Sequence, residues 1–253
     1  LLWVCMGLGD NYVNILQEGW MEYIVANITN AFPDHEDKQG PAGYNIAEVM
    51  TYFIQPGGYL ITSEVQMLPY FDEAAFQKGT RLHSVGWFEE GLLTPDIMSR
   101  FPYIEHPQNV ALLIEMGKGF SVPKSFILKE LADNVIPDIG VLKVYVPATV
   151  NSRTLQLFNG MSANEKYSCL KNWKLLNFDK EFTTGTWITT FINNRSDRVQ
   201  RSRAFAQLIV EDISADKHFI VGSNIQGFLK FISQEWHKHL KILPLSTLTL
   251  DFL

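Results

Sequence analysis

Apolar residues along the chain fall into two alternating spacings. Residues 1–8 and 23–28 are continuous apolar runs of strand length, suited to a sheet covered on both faces. Between them Val13, Leu16, Trp20 and Met21 recur at helical spacing, and Ile46, Val49, Met50 and Phe53 make a second helical face. That face stops at Gln55-Pro56-Gly57-Gly58, a turn signal, and a strand is expected over residues 59–62. Residues 109–116 and 125–131 read as two more helices. Pro137-Asp138-Ile139-Gly140 and the stretch 147–152 then punctuate the chain, after which the alternation restarts. Strands are expected at 154–158, 187–193 and 218–221, with helices at 164–175, 198–210 and 225–236. The pattern predicts an α/β chain in two domains, residues 1–146 and 147–253, without internal repeats.

Composition narrows the partners. A chain of 253 residues with 46% hydrophobic and 19% charged positions can bury ordinary cores, which excludes a disordered chain. A net charge of -6 gives no electrostatic reason to expect nucleic acid. Basic residues are scattered apart from Arg195, Arg198, Arg201 and Arg203. Cys5 and Cys169 make neither a disulfide framework nor a metal knuckle, which fits a reducing cytosol. No run reaches the roughly 18 apolar residues of a membrane span. The chain opens inside a strand-like run without an initiator Met, so a fragment is expected.

Two loops carry candidate chemistry, because ligands in parallel sheets bind beyond the carboxyl ends of strands. Residues 27–37 follow one strand and gather Asn, Asp, His and Glu. His35 offers an imidazole nitrogen to a divalent cation, with Asp34 or Asp37 orienting it; a solvated loop with a capping Asp has the same composition. The second is Asn193-Asn194-Arg195-Ser196-Asp197-Arg198-Val199-Gln200-Arg201, between a strand and a helix. Backbone N–H groups at such a helix start favour anions, and guanidinium groups grip carboxylate or phosphate bidentately. A solvated basic helix face is the alternative.

In order and spacing these elements resemble the Mur-ligase superfamily, and most of all its poly-γ-glutamate synthase ligase subunits. Cys5-Met6, Gln17-Glu18, Ile28-Thr29-Asn30, Asp34-His35-x-Asp37 and Gly40-Pro41 are similar to the middle domain of those ligases. Gly58-Tyr59-Leu60-Ile61-x-Ser63-Glu64 and Leu68-Pro69-Tyr70-Phe71 resemble the next strand and loop. His106-Pro107-Gln108-Asn109-Val110-Ala111 looks like the adenine-contacting element, and residues 137–143 look like the interdomain linker. Phe158-Asn159-Gly160-Met161-Ser162-Ala163-Asn164-Glu165 resembles a loop that faces nucleotide and incoming amino acid. The resemblance implies a partial Mur-ligase-like central domain with a mostly parallel sheet over 1–146, then a Rossmann-like C-terminal domain over 147–253. It implies His35 as a magnesium ligand. It also implies Asn109, Lys143, Asn164, Glu165 and Asn194 as nucleotide-binding residues, and Asp197, Arg198 and Arg201 as catalytic ones.

The activity so implied is an ATP-dependent amide ligase forming γ-glutamyl bonds through an acyl phosphate, with ATP and Mg2+ as cofactors. Glutamate or a growing γ-glutamyl chain would be the substrate. Small membrane-embedded synthase subunits would hold the protein at the cytoplasmic face of the membrane, and homo-oligomers stay open. The chain departs from the pattern at several points. Val4 stands where those synthases have a magnesium-binding Glu, and Lys143 stands where an Arg is usual. Glu165 and Lys166 replace Asp and Pro. Gly7-Leu8-Gly9 is no phosphate-binding loop, which would lie upstream of Leu1. Two alternatives follow: a catalytically impaired Mur-like scaffold or binding subunit, and an amide ligase for a different acid and amine.

Overall fold

The computed structural model describes residues 4, 8–33, 39–40, 43–180 and 185–243. The chain divides into two compact units, Leu1–Val144 and Tyr145–Leu253.

In the first unit, α1 (Asp10–Ile15) runs into a π turn, Leu16–Trp20, before β1 (Val25–Ile28). Then come α2 (Gly43–Met50), β2 (Tyr59–Thr62), α3 (Leu68–Gln77) and β3 (Arg81–Ser84). Helices α4 (Trp87–Gly91), α5 (Pro95–Met98), α6 (Pro107–Gly119) and α7 (Lys124–Asp133) and the short β4 (Lys143–Val144) complete it. Strands β1, β2 and β3 are parallel neighbours in that order, with Ala26 opposite Leu60 and Leu60 opposite Leu82. Successive side chains on β2 enter different cores. Leu60 packs with Ala26, Ile46, Ala47 and Phe71 on the α2–α3 side. Ile61 packs with Val110, Ala111, Ile114 and Ile127 on the α6–α7 side. Both are fully buried, as a parallel sheet with helices on both faces requires. Each contributes about 1.5–3 kcal/mol by leaving water.

Helix α3 and strand β3 were not expected from the sequence pattern. Pro69 lies in the first turn of α3, where its missing N–H costs no helical bond. Only Phe71 and Ala75 are buried from that helix, and Phe76 is 82% exposed, so its apolar stripe is too narrow to stand out. Strand β3 reads Arg-Leu-His-Ser and takes its place by pairing with β2. The strand expected at 1–8 lies mostly outside the described residues, of which Val4 is exposed.

The second unit opens with a hairpin of β5 (Ala148–Val150) and β6 (Arg153–Leu155). Asn151 and Ser152 at its turn have φ of +48° and +63°, the backbone of a two-residue hairpin loop. The strand expected at 154–158 is therefore divided, between β6 and β7 (Phe158–Asn159). After α8 (Lys166–Leu175) come β8 (Thr189–Asn194), α9 (Val199–Gln207) with a π turn at Leu208–Asp212, and β9 (Lys217–Gly222). Next are α10 (Ile225–Leu229), a 3-10 turn (Gln234–His239) and β10 (Leu240–Ile242). The helix expected over 225–236 thus ends early. Gly227 lowers its propensity, and Ser233 turns extended before the chain restarts as a 3-10 turn.

The second sheet is also parallel, in the order β10-β9-β8. One face packs Ile220 against Ala206, Ile209, Phe228 and Ile232. On β8 Phe191 is 56% exposed, and its ring stacks on Phe219 of β9 at 4.9 Å. His218 is fully buried in β9, with Nδ1 2.8 Å from Thr190 Oγ1 and the ring 6.0 Å from Trp236. Burial, aided by the charge of His239, holds its pKa below the ordinary histidine value.

Candidate functional site

At the carboxyl ends of β1 and β2, side chains tie two loops together. Thr62 donates its hydroxyl to the Ile28 carbonyl at 2.7 Å, and Ser63 donates to the Thr29 carbonyl at 2.7 Å. Glu64, only 3% exposed, accepts N–H bonds from Ala31 at 2.6 Å, Gln66 at 2.7 Å and Met67 at 3.0 Å. A carboxylate holding three backbone donors fixes where the chain leaves β1. Asn30 Oδ1 accepts from the Phe32 N–H at 3.1 Å, which turns that segment further. His35, with Asp34 and Asp37, lies outside the described residues. Among the described residues no group of three or more His, Cys, Asp or Glu side chains is placed to hold a metal ion.

A cavity of about 470 Å³ in the same unit is lined by Pro95, Met98, Phe101, Tyr103, Glu105 and Lys143, among others. The Glu105 carboxylate organises its edge. Oε2 accepts from the Tyr103 hydroxyl at 2.8 Å, and Oε1 accepts from the His106 N–H at 2.8 Å and from Asn109 Nδ2 at 2.9 Å. Burial, with Glu105 beside it, pushes the Tyr103 hydroxyl up to about 12. Asn109 is the third residue of α6 and is not its cap; His106 holds that position. Glu105 therefore holds Asn109 by hydrogen bond, and it lines the same cavity as Lys143.

In the second unit the loops after β8 and β9 are joined through Asn194, which is 5% exposed. Its amide nitrogen donates to the carbonyls of Ser223 at 2.7 Å and Asn224 at 3.3 Å, and its Oδ1 accepts from the Ser202 hydroxyl at 2.7 Å. The Ser196 N–H adds a bond to Ser223 Oγ at 2.9 Å. Gly222 makes this approach sterically feasible. Its φ is +99°, and a Cβ there would sit 2.2 Å from the Asn194 carbonyl oxygen. Asn194 thus spends its polar atoms inside the protein.

The basic loop itself is partly self-paired. Arg195 grips Asp197 with two bonds, at 3.0 and 2.7 Å, and Arg198 Nε lies 3.8 Å from the same carboxylate. The Arg195 hydrogen bond holds the Asp197 carboxyl below its usual pKa. Arg201 sits one turn along α9 from Arg198, close enough for its charge to act on Cys169. That thiol is pushed up to about 12, chiefly by burial, and is no nucleophile at neutral pH.

Glu165 and Lys166 have structural work. Glu165 caps α8, accepting from the N–H groups of Tyr167 and Ser168. Lys166 reaches Asp212 at 2.7 Å and Glu211 at 3.6 Å. Asn164 is exposed in the turn before them. Sequence reasoning gave no role to Glu64, Glu105, Ser202 or Ser223. Each is a common polar residue whose importance comes from the hydrogen-bond partners that folding brings to it.

Residues 144–250 match the family described as the poly-gamma-glutamate synthase CapB C-terminal domain. The PGA synthase CapB of Bacillus subtilis (strain 168) is 26% identical over 227 residues, 89% of this chain and 56% of that protein. The chain is a Mur-ligase-fold relative of CapB. The capsule biosynthesis protein CapB of Bacillus anthracis is 27% identical over 222 residues, covering 88% of this chain and 46% of that protein. The chain therefore spans about half the length of the curated relatives it matches. Among solved structures, MurF from Acinetobacter baumannii superposes with a TM-score of 0.54 at 14% identity, over 92% of this chain and 52% of that one. Folylpolyglutamate synthase from Thermotoga maritima does so with a TM-score of 0.50 at 11% identity, over 94% and 57%. The two parallel three-stranded sheets are structurally similar to those of the central and C-terminal domains of these two solved structures.

Proposed function

We propose that this chain is part of an ATP-dependent amide ligase that forms γ-glutamyl peptide bonds. The observation that carries the reading is the kinship to CapB along nearly nine-tenths of the chain, through both units. ATP, when bound, supplies the phosphoryl group that activates a glutamate carboxylate, and Mg2+ offsets charge on that group. In this reading Asn109 meets the nucleobase and Lys143 its neighbourhood. Arg198 and Arg201 attract the acidic substrate, and Asp197 sets the pose of the arginines around it. Glu165 and Asn194 shape the nucleotide-facing loops from within, Asn164 remains an exposed contact, and His35 is the proposed magnesium ligand. No helix of the described residues is long and apolar enough to cross a membrane. In this reading, small membrane-embedded partners hold the protein at the cytoplasmic face. A second reading, a catalytically impaired scaffold, is favoured by Val4, which cannot ligate a cation.

The complete gene product should release ADP from ATP and Mg2+ only when glutamate is supplied, with γ-glutamyl products visible by mass spectrometry. Arg198→Ala should lower kcat/KM at least about a hundredfold, the scale of losing one preorganised charge contact. Turnover with other amino acids but never with glutamate would move the assignment to a different acid and amine. Nucleotide binding without turnover would select the scaffold.

A further inference from the structure

Asn109 makes one side-chain hydrogen bond, and that bond limits what its amide can still offer. Nδ2 carries two hydrogens, and one of them goes to Glu105 Oε1 at 2.9 Å. The exposed amide then presents one N–H donor and its Oδ1 acceptor. Glu105 cannot readily swing away, because the same Oε1 accepts the His106 N–H at 2.8 Å and Oε2 accepts the Tyr103 hydroxyl at 2.8 Å. One donor beside one acceptor is the complement of adenine's N7 and N6 amino group. Guanine presents O6 and N7, two acceptors, and would need both amide hydrogens.

We propose that Glu105 is a positioning residue that sets the Asn109 site to prefer adenine over guanine nucleotides. The inference rests on the ligase reading above, in which a nucleobase meets Asn109. Glu105 touches no base itself. It acts by withholding one amide hydrogen and by fixing which way the amide faces.

The test compares ATP with GTP, as a ratio of affinities or of kcat/KM, in wild-type protein and three variants. Glu105→Ala returns the second amide hydrogen, and the ATP-to-GTP ratio should fall about tenfold, the scale of one bidentate base contact. Glu105→Gln retains an acceptor oxygen for Asn109 and His106 while offering Tyr103 an N–H, and should keep the ratio within about threefold of wild type. Tyr103→Phe removes only one of the bonds restraining Glu105 and should give an intermediate fall, which serves if Glu105→Ala does not fold. Damage that is merely structural would weaken both nucleotides together and leave the ratio alone. An unchanged ratio in folded Glu105→Ala or Tyr103→Phe, with a wild type that prefers ATP, overturns this inference and spares the ligase reading. A wild-type protein that binds neither nucleotide overturns both.

Discussion

Replacing Asn194 by Asp changes one atom's chemistry while keeping the side chain's shape. The acceptor toward Ser202 survives, since the hydroxyl still donates over 2.7 Å. The donor does not: an oxygen would face the Ser223 carbonyl at 2.7 Å and the Asn224 carbonyl at 3.3 Å. Two lost hydrogen bonds cost about 1 kcal/mol each. A carboxylate at a position 5% exposed adds about 2 kcal/mol more, held to that value because Ser223 and Asn224 themselves reach solvent. The expected deficit is about 4 kcal/mol at pH 7, against about 3 kcal/mol for Asn194→Ala, which loses all three bonds. The sign of its pH dependence follows from the charge. Burial raises the folded-state pKa of the introduced carboxyl above its unfolded value, so protonation on acidification relieves the folded state more than the unfolded one. Its deficit relative to wild type should shrink by about 2 kcal/mol between pH 7 and pH 4, whereas that of Asn194→Ala stays flat. Urea unfolding of the three proteins at both pH values measures this. An Asp variant within about 0.5 kcal/mol of wild type at pH 7, or a deficit indifferent to pH, would refute the account of Asn194 as a buried tie.

Three further perturbations probe other parts of the structure. Gly222→Ala forces a Cβ to within 2.2 Å of a backbone oxygen at φ +99°, and should lower the thermal midpoint by more than about 5 °C; an unchanged midpoint refutes the steric argument. His218 is buried with a lowered pKa, so the unfolded chain takes up its proton first. Its contribution should be whole above pH of about 6.5 and lost as pH falls toward the folded-state value, and denaturation curves of wild type and His218→Gln should diverge over that interval. Glu64→Ala orphans three backbone N–H groups at a site 3% exposed. It should cost about 3 kcal/mol and speed hydrogen exchange at the Ala31 amide, while unaltered exchange there would argue against the anchoring role.

The sequence was most legible where local signals agreed. Strand β2 begins where Pro56-Gly57-Gly58 ends a helical face, and the helices expected at 109–116 and 125–131 are α6 and α7, whose buried residues include Val110, Ala111, Ile114, Ile127 and Leu128. Strand β3 was missed because Arg81 and His83 give it no apolar run; its position depends on β2, which is tertiary information. The β8–α9 loop stood out by its arginines, yet composition could not tell that Arg195 is spent on Asp197 or that Asn194 is buried. Glu64 and Glu105 were harder still. A carboxylate after a strand or before a helix reads as solvated until its N–H partners are known, and those partners include residues 33 and 4 positions away.

The Asn194 tie also bears on how such a protein can change by recombination. Asn194 and Ser202 come from one strand–helix connection, while Gly222, Ser223 and Asn224 come from another some 20 residues later in the chain. A chimera that imports the first connection from a homologue and keeps the second would combine a tie with a socket shaped for a different partner. The unit of inheritance at this end of the sheet is therefore the pair of connections, and effects of changes in the two should be strongly non-additive. Libraries that vary residues 194–202 and 222–224 together sample workable loops, and libraries that vary either alone sample mainly broken ones.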